Sequence, residues 1–159
     1  EEIAKHDLWL DLHIEPIDPD NVSHEDWAFG GLHLLLEQNP TLKIILSHTA
    51  MTSPNNARLI LETYPQVMMS IKPVTPISAW KNLEPVLNSN SEVYEDWATL
   101  FEDMPERFVI GSDAKFMRKG FSPDTYRIII DNIRLLLGNL SPEAAQKIAY
   151  DNAGVMFPH

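Results

Sequence analysis

The chain has 159 residues, 44% of them hydrophobic, and a formal net charge of −11. That length and apolar share suffice for one globular domain with a sizeable core and exclude a disordered chain. The acidic balance opposes binding to nucleic-acid phosphates. The absence of cysteine excludes a disulfide framework and a thiolate zinc site, and no apolar run is long enough to span a bilayer.

The opening EEIAKHD reads as the last turns of a helix that starts upstream, and it is not itself a signal-peptide pattern. The stretch LWLDLHIEP then alternates strictly: Leu8, Leu10, Leu12 and Ile14 share one face of a strand, and Trp9, Asp11, His13 and Glu15 share the other. This predicts a first strand over 8–15. Ser23 as N-cap, with Asp26 three residues on, predicts a helix running to Gln38, stopped by Asn39–Pro40. LKIILSH, 42–48, is short, β-branched and almost wholly apolar, as a strand covered on both faces should be. Pro54 opens a helix that ends near Tyr64–Pro65, and VMMSIK predicts a third strand over 67–72. A connection containing Pro73, Pro76 and Pro85 leads to a helix within 92–103, and RFVIGSD predicts a fourth strand over 107–113. Ser122–Pro123 starts another helix with Gly138 as its stop, and Ser141–Pro142–Glu143 starts a last one running toward Phe157.

Four βα units without a domain break predict an α/β fold with a parallel sheet, 1–159 forming one domain. Two architectures satisfy that pattern: an open doubly wound sheet, or part of a closed (β/α)8 barrel. The first would want a glycine-rich phosphate loop, which this sequence lacks. A whole barrel needs about 250 residues, so the chain has room for half of one.

Three of the strands close on a residue that can bind a metal or move a proton: His13, His48 and Asp113. In parallel α/β folds the carboxyl ends of the strands build the site, so these three converge. Imidazole and carboxylate together suit zinc or a similar divalent ion. Glu15 and Lys72, at the ends of the first and third strands, are candidates for touching an acidic or polar substrate. Ser47, His48 and Asp113 also suggest a hydrolase triad. Neighbouring strand residues point to opposite faces, however, and no GxSxG elbow is present. His24 and His33 lie on an amphipathic helix and read as surface or packing residues. Trp9 and Trp80 read as core, and the acidic run 92–106 as a solvated helix face.

DLHIEP, KIILSH, RFVIGSDA and KIAYDNAGVMF, in that order, resemble the C-terminal half of the amidohydrolase superfamily, closest to the amidohydrolase-related branch that includes aminocarboxymuconate-semialdehyde decarboxylase. The resemblance covers nearly the whole chain; its most specific part is the GSD strand followed by the NA-hydrophobic-F helix. It implies four βα units forming the C-terminal half of a TIM-type (β/α)8 barrel. It implies an enzyme using one divalent metal ion, zinc first among candidates, on a small-molecule substrate. His13 resembles the fifth-strand metal ligand and His48 the sixth-strand histidine of acid–base chemistry. Asp113 resembles the eighth-strand aspartate, a metal ligand or proton acceptor. The family's HxH pair is absent here. The resemblance leaves open hydrolysis, a non-hydrolytic decarboxylation, or an inactive half-barrel with a structural role. A half-barrel exposes sheet edges, so self-association into a homo-oligomer is expected, with no nucleic-acid or membrane partner.

Overall fold

The computed structural model describes residues 2–14, 25–71, 86–88, 90, 92–116 and 121–157. A short helix α1 (Glu2–Lys5) precedes strand β1 (Trp9–Leu12). Helix α2 (Glu25–Gln38) leads to β2 (Lys43–Leu46), and α3 (Pro54–Thr63) leads to β3 (Val67–Ile71). Helix α4 (Glu95–Asp103) precedes β4 (Phe108–Ile110). The chain then forms α5 (Pro123–Gly138), α6 (Pro142–Gln146), a π-helical turn (Lys147–Asp151) and α7 (Asn152–Met156). The two helices that the sequence assigned to a serine–proline start, at Ser122 and Ser141, have it, and the helix opened by Pro54 is capped the same way by Ser53. Ser53, Ser122 and Ser141 accept from the backbone N–H groups of Asn56, Thr125 and Ala144, with a proline in each first turn. These are groups that the helix itself leaves unbonded. Ser23, the expected cap of α2, lies outside the described residues.

The four strands form one parallel sheet in the order β1-β2-β3-β4, as the alternation of strands and helices implies. The register lays Leu10, Ile44 and Val67 in one row, and Leu12, Leu46, Met69 and Phe108 in the next. This face is the main core. Onto it pack Leu32 and Leu36 of α2, Ala57, Ile60 and Leu61 of α3, Trp97, Leu100 and Phe101 of α4, Leu136 of α5 and Ala144 of α6. Trp97 stacks on Phe101 at 5.5 Å between ring centroids, and Phe101 meets Phe108 edge-on at 4.8 Å. The helical positions follow the three- and four-residue spacing of an apolar stripe.

Strand order equals chain order, so every crossover advances in one direction. With the usual right-handed sense, the connecting helices then all fall on one face. The opposite face is covered differently: Ile45, Met68 and Val109 form a small cluster with Met156 of α7 and the partly buried Trp9. Trp9 therefore packs, as its sequence context suggested; Trp80 is outside the described residues.

β1, β2 and β4 are shorter than the alternation implies. β2 stops at Leu46, and residues Ser47–Met51 form a tight turn instead. The helix expected within 92–103 begins only at Glu95. Val93 is held back in an antiparallel bridge to Leu87, and the Asn88 side chain accepts from the backbone of Asn90 and Glu92. Gly138 ends α5 without a left-handed turn: Asn139 follows in right-handed conformation, and its side chain takes up the Leu135 carbonyl. The acidic side chains of the run 92–106 are exposed, as its composition suggests. Glu102 accepts from both the backbone N–H and the hydroxyl of Ser141, and Asp103 pairs with Arg58 at 2.7 Å.

Two polar side chains tie the amino end of β4 to its surroundings. Arg107 donates to the carbonyls of Leu61, Tyr64 and Val67, closing the end of α3. Its burial lowers the guanidinium pKa, only partly offset by nearby Glu106. Asn152 donates through one amide nitrogen to the carbonyls of Pro105 (2.8 Å) and Phe108 (2.7 Å). Asn152 thereby clips α7 to β4.

Candidate active site at the carboxyl ends of the strands

Because all four strands run parallel, their carboxyl ends lie along one edge of the sheet. Three of the sequence-selected residues fall there. His13 follows β1 by one residue, His48 follows β2 by two, and Asp113 follows β4 by three. Glu15 and Lys72 lie outside the described residues.

The structure brings the two histidines together. Their rings meet edge to face with centroids 4.9 Å apart and planes at 79°. Strand alternation alone does not lead to this contact. Leu46 faces the helices, so two further residues of regular strand would turn His48 the same way, whereas His13 shares its parity with Trp9 and Asp11 on the opposite face. The backbone departs from the strand instead. His48, Thr49 and Met51 have φ of 58°, 53° and 46°. Non-glycine residues enter this left-handed region at a cost of roughly 1–2 kcal/mol each, and a β-branched threonine there is a rarity. Asp113 is also left-handed, with φ of 47°. Backbone held in such conformations gathers at functional sites, where the surrounding structure fixes it.

Polar groups line the same edge. Ser47, almost fully buried, donates its hydroxyl to the Asp11 carboxylate at 2.6 Å. The His48 backbone N–H donates to Ser70 Oγ at 3.4 Å, and Thr49 Oγ1 donates to the His48 carbonyl at 2.6 Å. Lys115 forms an ion pair with Asp113 at 3.2 Å, and the aspartate side chain is largely covered. The Ser47 hydroxyl donates to Asp11; the alternation expected to set Ser47 and His48 on opposite faces does not apply, because both residues lie in the turn after β2. His33, the histidine of α2, is exposed and meets the Tyr64 hydroxyl on the helical side of the sheet, away from this edge.

The donor set fits a divalent ion in kind: two imidazoles and a carboxylate are zinc ligands. In number it is incomplete. Among the described residues, no three His, Cys, Asp or Glu side chains come together in a group able to hold an ion. Sequence reasoning passed over Ser70 and Lys115. Ser70 was legible as the single hydroxyl in VMMSIK on the parity of Met68; Lys115 carries no pattern, and only the turn after β4 brings it to Asp113.

No family model, no curated protein and no solved structure matches the chain. No helix among the described residues is long and apolar enough to cross a membrane.

Proposed function

We propose that the chain is the C-terminal half-barrel of an amidohydrolase-like, metal-dependent enzyme that acts on a small molecule. The observation that carries the reading is the contact of His13 with His48 at the carboxyl edge of the sheet. It is supported by left-handed backbone at both His48 and Asp113. A sheet whose strand order equals chain order, with α2, α3 and α4 packed on one face, suits a segment of a (β/α)8 barrel, where helices ring the outside. The sequence motifs add the family.

When bound, a divalent ion, zinc by the donor chemistry, supplies a Lewis acid that brings the pKa of water to roughly 7. In this reading His13 binds the ion through an imidazole nitrogen. Asp113 occupies a ligand position or accepts a proton, displacing Lys115 to the rim. His48 delivers a proton to the leaving group or polarises the scissile carbonyl. The same groups serve a decarboxylation, with the proton going to carbon.

A second reading is favoured by the two edge strands. Among the described residues β1 pairs only with β2, and β4 only with β3. Unpaired strand edges invite another chain, so a catalytically inactive half-barrel that self-associates is the alternative, and a homo-oligomer is expected in either case. Elemental analysis of the chain after zinc loading and exhaustive dialysis separates the two. The enzyme reading expects near-stoichiometric zinc that both His13→Ala and Asp113→Ala abolish. A chain that takes up no zinc, or keeps it in both variants, overturns that reading. Solution scattering tests the association, and a compact monomer at working concentration would refute it.

A further inference from the structure

Strand β3 reads Val67-Met68-Met69-Ser70-Ile71, four apolar residues and one hydroxyl. The register sets Ser70 beside Val109, on the sheet face opposite the helices. Two neighbours close on it. On one side the His48 N–H donates to Ser70 Oγ. On the other lies Gly111, whose N–H continues the ladder to the Ile71 carbonyl at 2.9 Å. A Cβ built on Gly111 would stand 3.3 Å from both Ser70 Cβ and Ser70 Oγ, tighter than ordinary contact. Gly111 does not have the positive φ that would itself demand glycine. What it supplies is room.

We propose that Ser70 is the positioning residue for His48, and that glycine at 111 keeps the notch in which the Ser70 hydroxyl stands. The backbone at His48 and Thr49 must be held left-handed against its own preference. Two hydrogen bonds grip the His48 residue from either side: Ser70 Oγ at its N–H and Thr49 Oγ1 at its carbonyl. The first reaches across to another strand and so ties the turn to the sheet. Without it, His48 relaxes toward extended backbone, alternation swings its ring toward the helical face, and the contact with His13 is lost. The reason for holding His48 there rests on the proposed function. The positioning itself is read from the rings and needs no turnover.

The test is NMR of the full chain with labelled histidine, the His13 and His48 ring signals being assigned from His13→Ala and His48→Ala. In Ser70→Ala the ring-to-ring NOE should disappear and both ring signals should shift, with the fold retained by backbone spectra. Gly111→Ala, which touches neither histidine, should shift the same two signals and lower the melting temperature. Ser70→Gly combined with Gly111→Ala should recover the melting temperature, because the crowding is gone, yet leave the ring signals displaced, because the hydroxyl is gone. A merely structural Ser70 would move stability and not the rings. An unchanged NOE and unchanged ring signals in Ser70→Ala would overturn the proposal. So would ring signals restored in the double variant. If zinc uptake fails while Ser70→Ala still displaces the rings, the enzyme reading falls and the positioning stands.

Discussion

Replacing Arg107 with methionine keeps most of the aliphatic stem and removes only the guanidinium. That group serves three carbonyls at once: Leu61 at 2.9 Å, Tyr64 at 2.7 Å and Val67 at 3.1 Å. The first two belong to the end of α3, whose last carbonyls have no partner within the helix. A hydrogen bond from a charged donor contributes about 1.5–3 kcal/mol net, but three such values do not add here. Burial already disfavours the charged form, as the lowered pKa of Arg107 records, and part of the rim can take up water. A net loss of about 2–3 kcal/mol is expected, near the value of one or two such bonds. For a chain of this size that is a fall of roughly 5–10 °C in melting temperature. Arg107→Lys keeps the charge without the fork and should lose about half as much. Urea denaturation followed by circular dichroism measures both. A loss below about 0.5 kcal/mol in Arg107→Met, the scale of an ordinary surface substitution, would refute the argument that this guanidinium closes α3. Because Arg107 sits at the amino edge of the sheet, the His13–His48 ring contact should survive the change.

Asn152 offers a sharper chemical contrast. Asn152→Ala leaves two carbonyls without their donor and should cost about 2–3 kcal/mol. Asn152→Asp presents acceptor oxygens to the same carbonyls, so its loss should exceed that of alanine near neutral pH and narrow in acid, where the carboxyl regains a donor; urea midpoints at the two pH values check this. His48→Gly should behave unlike the loss of a packing residue. Relief of left-handed strain, roughly 1–2 kcal/mol, is set against the added chain entropy of glycine, roughly 0.5–1 kcal/mol. Thermal stability should therefore stay level or rise as the site is lost. A drop of more than about 2 kcal/mol, the scale of a truncated core side chain, would make His48 a packing residue.

Much of the fold was readable from local patterns. The starts read at Pro54, Ser122–Pro123 and Ser141–Pro142 are satisfied by backbone groups within one turn, so nothing distant has to agree. The apolar parity of Leu10 and Leu12 and the continuous run in β2 depend only on which faces are covered. Element ends were less legible. Glu92 looked helical because charge and periodicity continued, but the Asn88 side chain captured its backbone N–H first. The site was legible in part. His13, His48 and Asp113 could be picked out as strand-end residues because parallel sheets place such residues on one edge. Ser70 and Lys115 were passed over.

By itself the sequence determined the four strands, their helical connections and the chemistry available at the carboxyl edge, because hydrophobic period and capping act over a few residues. Only the tertiary structure decided that the strands lie in chain order with α2, α3 and α4 on one face and Met156 of α7 on the other, since that depends on how every element packs. It alone decided that His48 leaves its strand in a left-handed turn and meets His13. That conformation is unfavourable for the residues that adopt it, and the Ser70 hydroxyl on β3 meets the His48 N–H from the neighbouring strand.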